Sequence, residues 1–209
     1  MKKKIIIVGA GGHGKVVLDI LLEAGRPVLG FVDDDPAKKG KKVLGYKVLG
    51  GVDVLSKGMS AALGIGDNRA RGRVYDALLA RGVKVESAIH PKAAVSRFAK
   101  LGPGVAVVAG AAVNPDAVLA EGVVVNTGAG VDHDCRLEKF CQIWPGAHLA
   151  GNVQVGAYAY VGTGASVVPG RRIGAGAVVG AGAAVVRDVP DGTTAAGVPA
   201  ESLERKTKT

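Results

Sequence analysis

A few histidines, two cysteines and two glycine-rich stretches are the residues of this 209-residue chain whose types and spacing could do chemistry. His133 stands in Asp132-His133-Asp134, where a neighbouring carboxylate can orient the imidazole and support its basicity. A side chain that titrates near neutrality can then take a proton from an attacking group; a merely solvated polar turn is the plainer reading of the same residues. Near the other end, Gly9, Gly11 and Gly14 fit G-x-G-x-x-G between an apolar run, Ile5 to Val8, and a helical pattern. Backbone N–H groups and a helix N-terminus favour phosphate there. Asp33 follows Gly14 by 19 residues, at the end of Val28 to Val32, where a carboxylate can accept hydrogen bonds from a ribose hydroxyl. His13, among those glycines, touches a bound sugar or phosphate or has a local structural role.

The elements that must position these groups divide near residue 88. Residues 1–88 carry 16 Lys+Arg against 9 Asp+Glu (+7) and residues 89–209 carry 11 against 9 (+2), which together make the net +9. A basic front half suits small polyanions such as nucleotide diphosphates and coenzyme A. Three Phe, four Tyr and one Trp leave little to stack bases, so nucleic acid is not an expected partner. Met1 and its three lysines precede only four apolar residues before glycine, too short for a signal or a membrane span. Two cysteines, Cys135 and Cys141, do not make a secreted disulfide framework, and a reducing, cytoplasmic setting is expected.

In the first segment, Lys4 to Val8 reads as a buried strand and the helix after it has an apolar face of Val16, Val17, Ile20, Leu21 and the adjacent Leu22, ended by Gly25. Val28 to Val32 reads as a second strand, running into Asp33-Asp34-Asp35 and a lysine-rich loop. Ala61 to Ile65, closed by Gly66-Asp67-Asn68, reads as another strand, and Ala70 to Arg81 as a helix with Val74, Leu78 and Leu79 on one side. This order predicts a small parallel sheet flanked by helices. It has room for about half of a six-stranded doubly wound domain. A mononucleotide or nucleotide sugar therefore fits better than a full dinucleotide, and a purely structural tight turn is the remaining reading.

The second segment has a period of six. From Ile89 to Val185 every sixth residue is Ile, Leu or Val, seventeen in succession. Four residues after each comes a small side chain, from Ala93 to Val189, with Arg171 the exception. Two inward positions per hexad, one large and one small, suit a triangular coil with three hexads per turn, hence five to six turns stacked at about 4.8 Å. Such a coil needs no large rings in its core and uses small residues, in keeping with 33 glycines, more than twice the average of ~7%. Cys135 and Cys141 fall on the small inward position, so packing is their simplest role. An inward Arg171 would be costly unless paired, so the coil is expected to bulge around Pro169-Gly170 and release it outward.

The hexads Val155-Gly156-Ala157-Tyr158-Ala159-Tyr160, Ile173-Gly174-Ala175-Gly176-Ala177-Val178 and Val179-Gly180-Ala181-Gly182-Ala183-Ala184 resemble the hexapeptide-repeat acyltransferases, which are left-handed β-helices and usually trimers. The glycine loop, Phe31-Val32-Asp33-Asp34, Ile65-Gly66-Asp67-Asn68, Ile89-His90-Pro91, Val125-Asn126-Thr127, Val131 to Cys135, Pro145 to Asn152 and Ala196 to Ala200, in this order, resemble the sugar O-/N-acyltransferases of the sialic acid O-acetyltransferase type. Within that type the chain resembles the nucleotide-linked amino-sugar N-acetyltransferases of bacillosamine and perosamine synthesis.

The resemblance implies an α/β half-Rossmann domain over 1–88 that binds a nucleotide sugar, and a left-handed β-helix acetyltransferase domain with a C-terminal tail over 89–209. It implies acetyl transfer from acetyl-CoA to the amine of a 4-amino-4,6-dideoxyhexose, with His133 as general base, Asp134 orienting it and the Gly151 N–H as oxyanion donor. Gly151 lies 18 residues after His133, one turn of the coil, so the register supports that pairing independently. Substrate contacts are expected at Gly11, Gly12, His13, Gly14, Asp33, Asp34, Gly66, Asp67 and Asn68, and acetyl-CoA contacts at Gln142, Gly151, Thr163, Gly180 and Ala181, in a cleft with a neighbouring subunit of a homotrimer. Gln142 stands where relatives often have histidine, so no acid–base role is expected there.

Three other activities compete: sialic acid or other sugar O-acetylation, a nicotinamide-dependent reaction suggested by the glycine fingerprint, and zinc chemistry of the γ-carbonic anhydrase kind. The last needs three histidine ligands, and the spacings of His90, His133 and His148 do not form such a site; no metal is expected. A scaffold trimer without catalysis is the non-enzymatic alternative.

Overall fold

The computed structural model describes residues 3–203; Met1 and Lys2, where the lysine-led start begins, and the end of the tail, 204–209, lie outside the described residues. Four consecutive Ile and Val residues form β1 (Ile5–Val8), all of them buried, as in a strand covered on both faces. The chain turns at Gly9 into α1 (Gly12–Glu23) and returns as β2 (Val28–Val32). A Cβ on Gly14 would lie 2.0 Å from the Gly9 carbonyl oxygen, so this first turn of α1 can seat only glycine. The lysine-rich loop folds into a hairpin of β3 (Lys42–Val43) and β4 (Tyr46–Lys47). β5 (Ser60–Leu63), α2 (Asn68–Ala80) and β6 (Lys84–Val85) follow, and the parallel sheet has the order β2-β1-β5-β6.

Three details differ from the sequence expectation. β5 runs over Ser60–Leu63, not Ala61 to Ile65. α2 starts at Asn68, not Ala70, because the Asp67 carboxylate accepts from the Ala70 N–H at 2.7 Å and caps the helix. Leu22 and Leu79 are 43% and 49% exposed. Each lies one helical step beyond the packed stripe, which is Val17, Leu18, Ile20 and Leu21 in α1 and Arg71, Tyr75 and Leu78 in α2.

From Ala88 onward the chain makes seventeen two-residue strands, the last at Ala184–Val185. Each of the first fourteen pairs in parallel with the strand 18 residues further on, as Ala112 with Gly130, Gly130 with His148 and His148 with Ser166. The strands sort into three sheets, and the coil is a left-handed parallel β-helix of between five and six turns. Face one holds the strands at 106–107, 124–125, 142–143 and 160–161, face two those at 130–131, 148–149 and 166–167, and face three those at 136–137 and 154–155. Three corners join them: a first between faces one and two, a second between two and three, and a third between three and one. Inside, the alternating large and small side chains from Val105 to Val189, Arg171 apart, are at most 4% exposed. Both cysteines lie in this column, free and buried. Desolvation pushes the Cys141 thiol up to about 12, which leaves it protonated and inert.

From Gly104 to Gly182 each corner turns through a residue with positive φ, mostly glycine. At the third corner Phe140 (φ 56°) and Tyr158 (φ 61°) take that conformation with aromatic side chains, which is unfavourable by about 1–2 kcal/mol each. The compensation is docking. Phe140 stacks on Tyr158 at 5.5 Å and meets the edge of Tyr75 at 5.4 Å, joining the core formed by Ile6, Val8, Leu63 and Leu78. The α/β domain is thereby seated on the third corner and face one.

The expected bulge at Pro169-Gly170 is absent. Gly170 N–H reaches Gly151 O at 3.0 Å and Gln154 N–H reaches Arg171 O at 2.9 Å, so the ladder below Arg171 is regular. The irregularity lies above it. Val189 pairs with Ile173, an offset of 16, and β-strand residues Thr194–Ala196 keep that offset against Val178–Val179. Val189 thus fills a large inward position, not the small one expected from the hexads. The last turn omits the residue that would stack on Arg171, whose side chain runs out to Pro169 O and towards Asp188. Among the described residues no helix is long and apolar enough to cross a membrane.

The aromatic seam makes a measurable demand. Phe140→Ala keeps the same backbone requirement but empties a buried aromatic site, so its urea midpoint should drop by the equivalent of about 3 kcal/mol or more. Phe98→Ala, at a side chain 63% exposed, should change stability by less than about 0.5 kcal/mol. Equal effects of the two would refute the seam.

Candidate active site

The second corner carries His133. Its backbone N–H donates to Asp132 Oδ1 at 2.8 Å, and Asn114, one turn below, donates to the same oxygen at 2.8 Å. The Asp132 carboxylate is held below its usual pKa mainly by these two bonds. Asp134, at φ 60°, turns back so that its Oδ2 lies 2.8 Å from His133 Nδ1. That hydrogen bond, with the charges of Asp132 and Asp134, raises the imidazole pKa above its ordinary value. With Nδ1 donating to the carboxylate, Nε2 is left with a lone pair facing away from the turn.

Gly151 lies one turn above. A Cβ on it would sit 2.5 Å from His133 Cε1 and 2.6 Å from Nε2, so the imidazole edge rests against a backbone that has no side chain. Among the described residues the Gly151 N–H donates to no backbone carbonyl. A basic nitrogen and a free amide donor are thus juxtaposed, the pair that acyl transfer requires. Beside them, face two forms a groove of about 580 Å³ lined by Asn114, Gly130, Asp132, His148, Ala150, Ser166 and Pro169. From the sequence His148 was weighed as a zinc ligand and set aside, and Asn114 and Ser166 were not singled out. The signal was available: 112, 130, 148 and 166 are one outward column of face two, offset by the 18-residue turn.

A second cavity, about 420 Å³, lies between the α/β domain and the first corner. His13, Val16, Gly66 and Asp67 form one wall, and Asn126, Gln142, Trp144 and Tyr160 the other. Burial, and secondarily the Arg71 charge, lower the His13 pKa to about 4, so this imidazole is neutral at physiological pH. Its Nε2 and the Gln142 Oε1 are buried without hydrogen-bond partners among the described residues. Trp144 and Tyr160, 6.2 Å apart, give the cavity an aromatic side.

The substrate residues expected from the sequence are distributed as follows. His13, Gly66 and Asp67 share that cavity with Gln142, which the sequence reading had grouped with acetyl-CoA. Gly11 and Gly12 open α1 with clear space above them, whereas Gly14 is packed against Gly9. Asp33 and Asp34 line a separate small cavity behind the glycine loop. The Asp33 carboxylate is already engaged by Ala10 N–H, Asp35 N–H and the Lys38 ammonium. Asn68 is fully buried, its amide donating to Tyr158 O and Ala159 O. Thr163, Gly180 and Ala181 lie along the first corner and Gly151 along the second; both corners border face two. Among the described residues no group of three or more His, Cys, Asp or Glu could hold a metal ion.

The PglD N-terminal domain family model matches residues 4–78. Comparison with curated protein sequences finds no match. Among solved structures, the acetyltransferase domain of PglB from Neisseria gonorrhoeae FA1090, in complex with acetyl coenzyme A, is 41% identical over 97% of this chain and 100% of that chain, with a TM-score of 0.91. PerB from Caulobacter crescentus, in complex with CoA and GDP-perosamine, is 43% identical over 98% and 99%, with a TM-score of 0.90. A histidine-to-alanine variant of the Caulobacter crescentus GDP-perosamine N-acetyltransferase, with the same two ligands, is 42% identical over 98% and 99%, with a TM-score of 0.92. With more than two fifths of the residues shared over nearly the whole length, this chain belongs to the acetyl-CoA-dependent amino-sugar N-acetyltransferases that these structures represent.

Proposed function

We propose that the acceptor is a nucleotide-linked 4-amino-4,6-dideoxyhexose, that the product enters surface-glycan synthesis, and that His133, Asp134 and Gly151 carry out the transfer. One observation carries this reading: the free Gly151 N–H lies one coil above an imidazole whose Nδ1 is bound to a carboxylate. The sugar amine attacks the thioester carbonyl carbon, forming the C–N bond while the carbonyl electron pair moves onto oxygen. The Gly151 N–H donates to that oxyanion. His133 Nε2 takes the proton from the nitrogen, and the Asp134 carboxylate stabilises the imidazolium that results. Collapse re-forms the carbonyl and breaks the C–S bond, and coenzyme A leaves as its thiol with the proton from His133. No acyl-enzyme is needed.

Acetyl-CoA fits the groove of face two, bounded by the corners that carry Gly151 on one side and Thr163, Gly180 and Ala181 on the other. The nucleotide sugar fits the cavity of His13, Gly66 and Asp67, with its phosphates towards the open N–H groups of Gly11 and Gly12. In one chain this cavity is on the first corner and His133 on the second. We therefore assign the working form as a homotrimer, in which the second corner of one copy meets the first corner of the next. The cytoplasm, reducing and supplied with both substrates, suits two buried free thiols. Sedimentation should give the mass of three chains; an active monomer would contradict the shared site.

Thiol release from acetyl-CoA against UDP-, GDP- and dTDP-linked amino sugars and sialic acid tests the reaction. His133→Ala should lower kcat by about 10²–10⁴. Because the working form of His133 is neutral and its pKa is raised, kcat/KM should fall as pH drops through a value above about 6.5. Asp134→Asn removes the raising partner, so the same limb should move to lower pH with a smaller maximum. An unaltered profile in Asp134→Asn, or full activity in His133→Ala, would contradict the mechanism, and transfer only to sialic acid would replace the acceptor.

A further inference from the structure

Arg71, on the first turn of α2, is fully buried, and among the described residues no carboxylate pairs with it. Its guanidinium is satisfied instead by neutral oxygens from three separate segments. Nε donates to Gly122 O at 2.9 Å, Nη1 to Ile65 O and Gly66 O at 3.1 and 3.2 Å, and Nη2 to Asn68 Oδ1 and Phe140 O at 2.7 and 2.9 Å. Desolvation lowers its pKa to about 10, which still leaves it charged at neutral pH. A buried cation without an opposite charge is unfavourable, and an apolar side chain of similar volume would usually fill such a space better. The geometry shows what the charge achieves.

The acceptors bracket the cavity of His13. Ile65 and Gly66 belong to the β5–α2 loop, whose Gly66 and Asp67 form its outer wall. Gly122 and Phe140 are third-corner turns of the coil that carries Gln142 and Tyr160 on the opposite wall. Asn68, held by Arg71, extends the clamp to Tyr158 O and Ala159 O, and its N–H donates to the Tyr160 hydroxyl at 2.9 Å. Both walls are thus referred to one guanidinium.

We infer that Arg71 is a positioning residue for acceptor recognition: it fixes the separation of the two walls between which the amino sugar is bound. This rests on the His13 cavity being the acceptor site. The acetyl-CoA groove and the His133–Gly151 pair lie on other corners and do not share these bonds. A loss at Arg71 therefore falls on acceptor binding and not on thioester binding or proton transfer. The same cation also helps to keep His13 neutral, which gives the coupling a second readout.

The test uses full-length Arg71→Lys and Arg71→Met. The KM for the nucleotide sugar should rise about tenfold or more in both, with kcat within about threefold and the acetyl-CoA Kd unchanged, the pattern of lost uniform binding. In an NMR titration, His13 should stay near 4 in Arg71→Lys and move upward in Arg71→Met, where the neighbouring charge is gone. An unchanged acceptor KM, or a loss confined to kcat, would overturn the inference. So would an Arg71→Lys that does not fold, since Arg71 would then serve stability. A wild-type protein that accepts no nucleotide-linked amino sugar would remove the cavity's assignment; the His13 titration reads the Arg71 coupling without turnover.

Discussion

The constraint on which this structure depends is the hydrogen-bonded stacking of each coil on the next at an offset of 18 residues. Strands held at the ladder spacing of about 4.8 Å convert sequence separation into position along the prism. His133 is bound into this lattice on both sides: Asp134 N–H reaches Pro115 O at 3.2 Å, Asn152 N–H reaches His133 O at 2.9 Å, and Gly170 N–H reaches Gly151 O at 3.0 Å. The imidazole and the amide that faces it are therefore fixed by backbone ladders, not by a mobile loop. Rigid placement of this kind is what electrostatic stabilisation of a developing charge requires, since no reorganisation is needed when the charge forms.

The coil was legible in the sequence because its rule is local and repeated. Two inward positions in six, filled for seventeen hexads, define the faces, the corners and the His133–Gly151 stack without any long-range information. The α/β domain was legible in outline for a similar reason, since strand, glycine loop and helix are adjacent in sequence. What escaped the sequence was the seam. Arg71 has an ordinary place in an exposed-looking helix of arginines, and its acceptors are carbonyls, which every residue has. Nothing in the types of Gly122 or Phe140 announces that an arginine 51 or 69 residues earlier will use their oxygens. The shortened last turn was hidden too, because Val189 satisfies the hexad pattern by type while pairing two residues out of register.

Two histidines, His133 and His13, are driven apart in basicity by their surroundings. His133, on an exposed corner between two aspartates, is made more basic by the Asp134 hydrogen bond. His13, between the domains, is made less basic by burial and by a cation that lacks a counter-charge. Pairs of groups whose environments separate their pKa values mark a division of roles. Here one imidazole is suited to carrying a proton and the other to hydrogen bonding without charge. Burial does most of this at His13 and the unpaired Arg71 adds to it; the aromatic corners at Phe140 and Tyr158, with their unfavourable backbone, help to hold that arginine.

The most direct test of the central claim, that the coil register joins an amide donor to a basic imidazole, is the kinetics of Gly151→Ala. The φ of Gly151 lies outside the left-handed region, so alanine is tolerated by the backbone, while its Cβ meets the His133 ring. With circular dichroism and sedimentation unchanged, kcat for acetyl transfer should fall by about 10²–10³, because alanine keeps the N–H but its methyl displaces the imidazole that must take the proton beside it. An alanine variant that turns over at the wild-type rate would contradict the account.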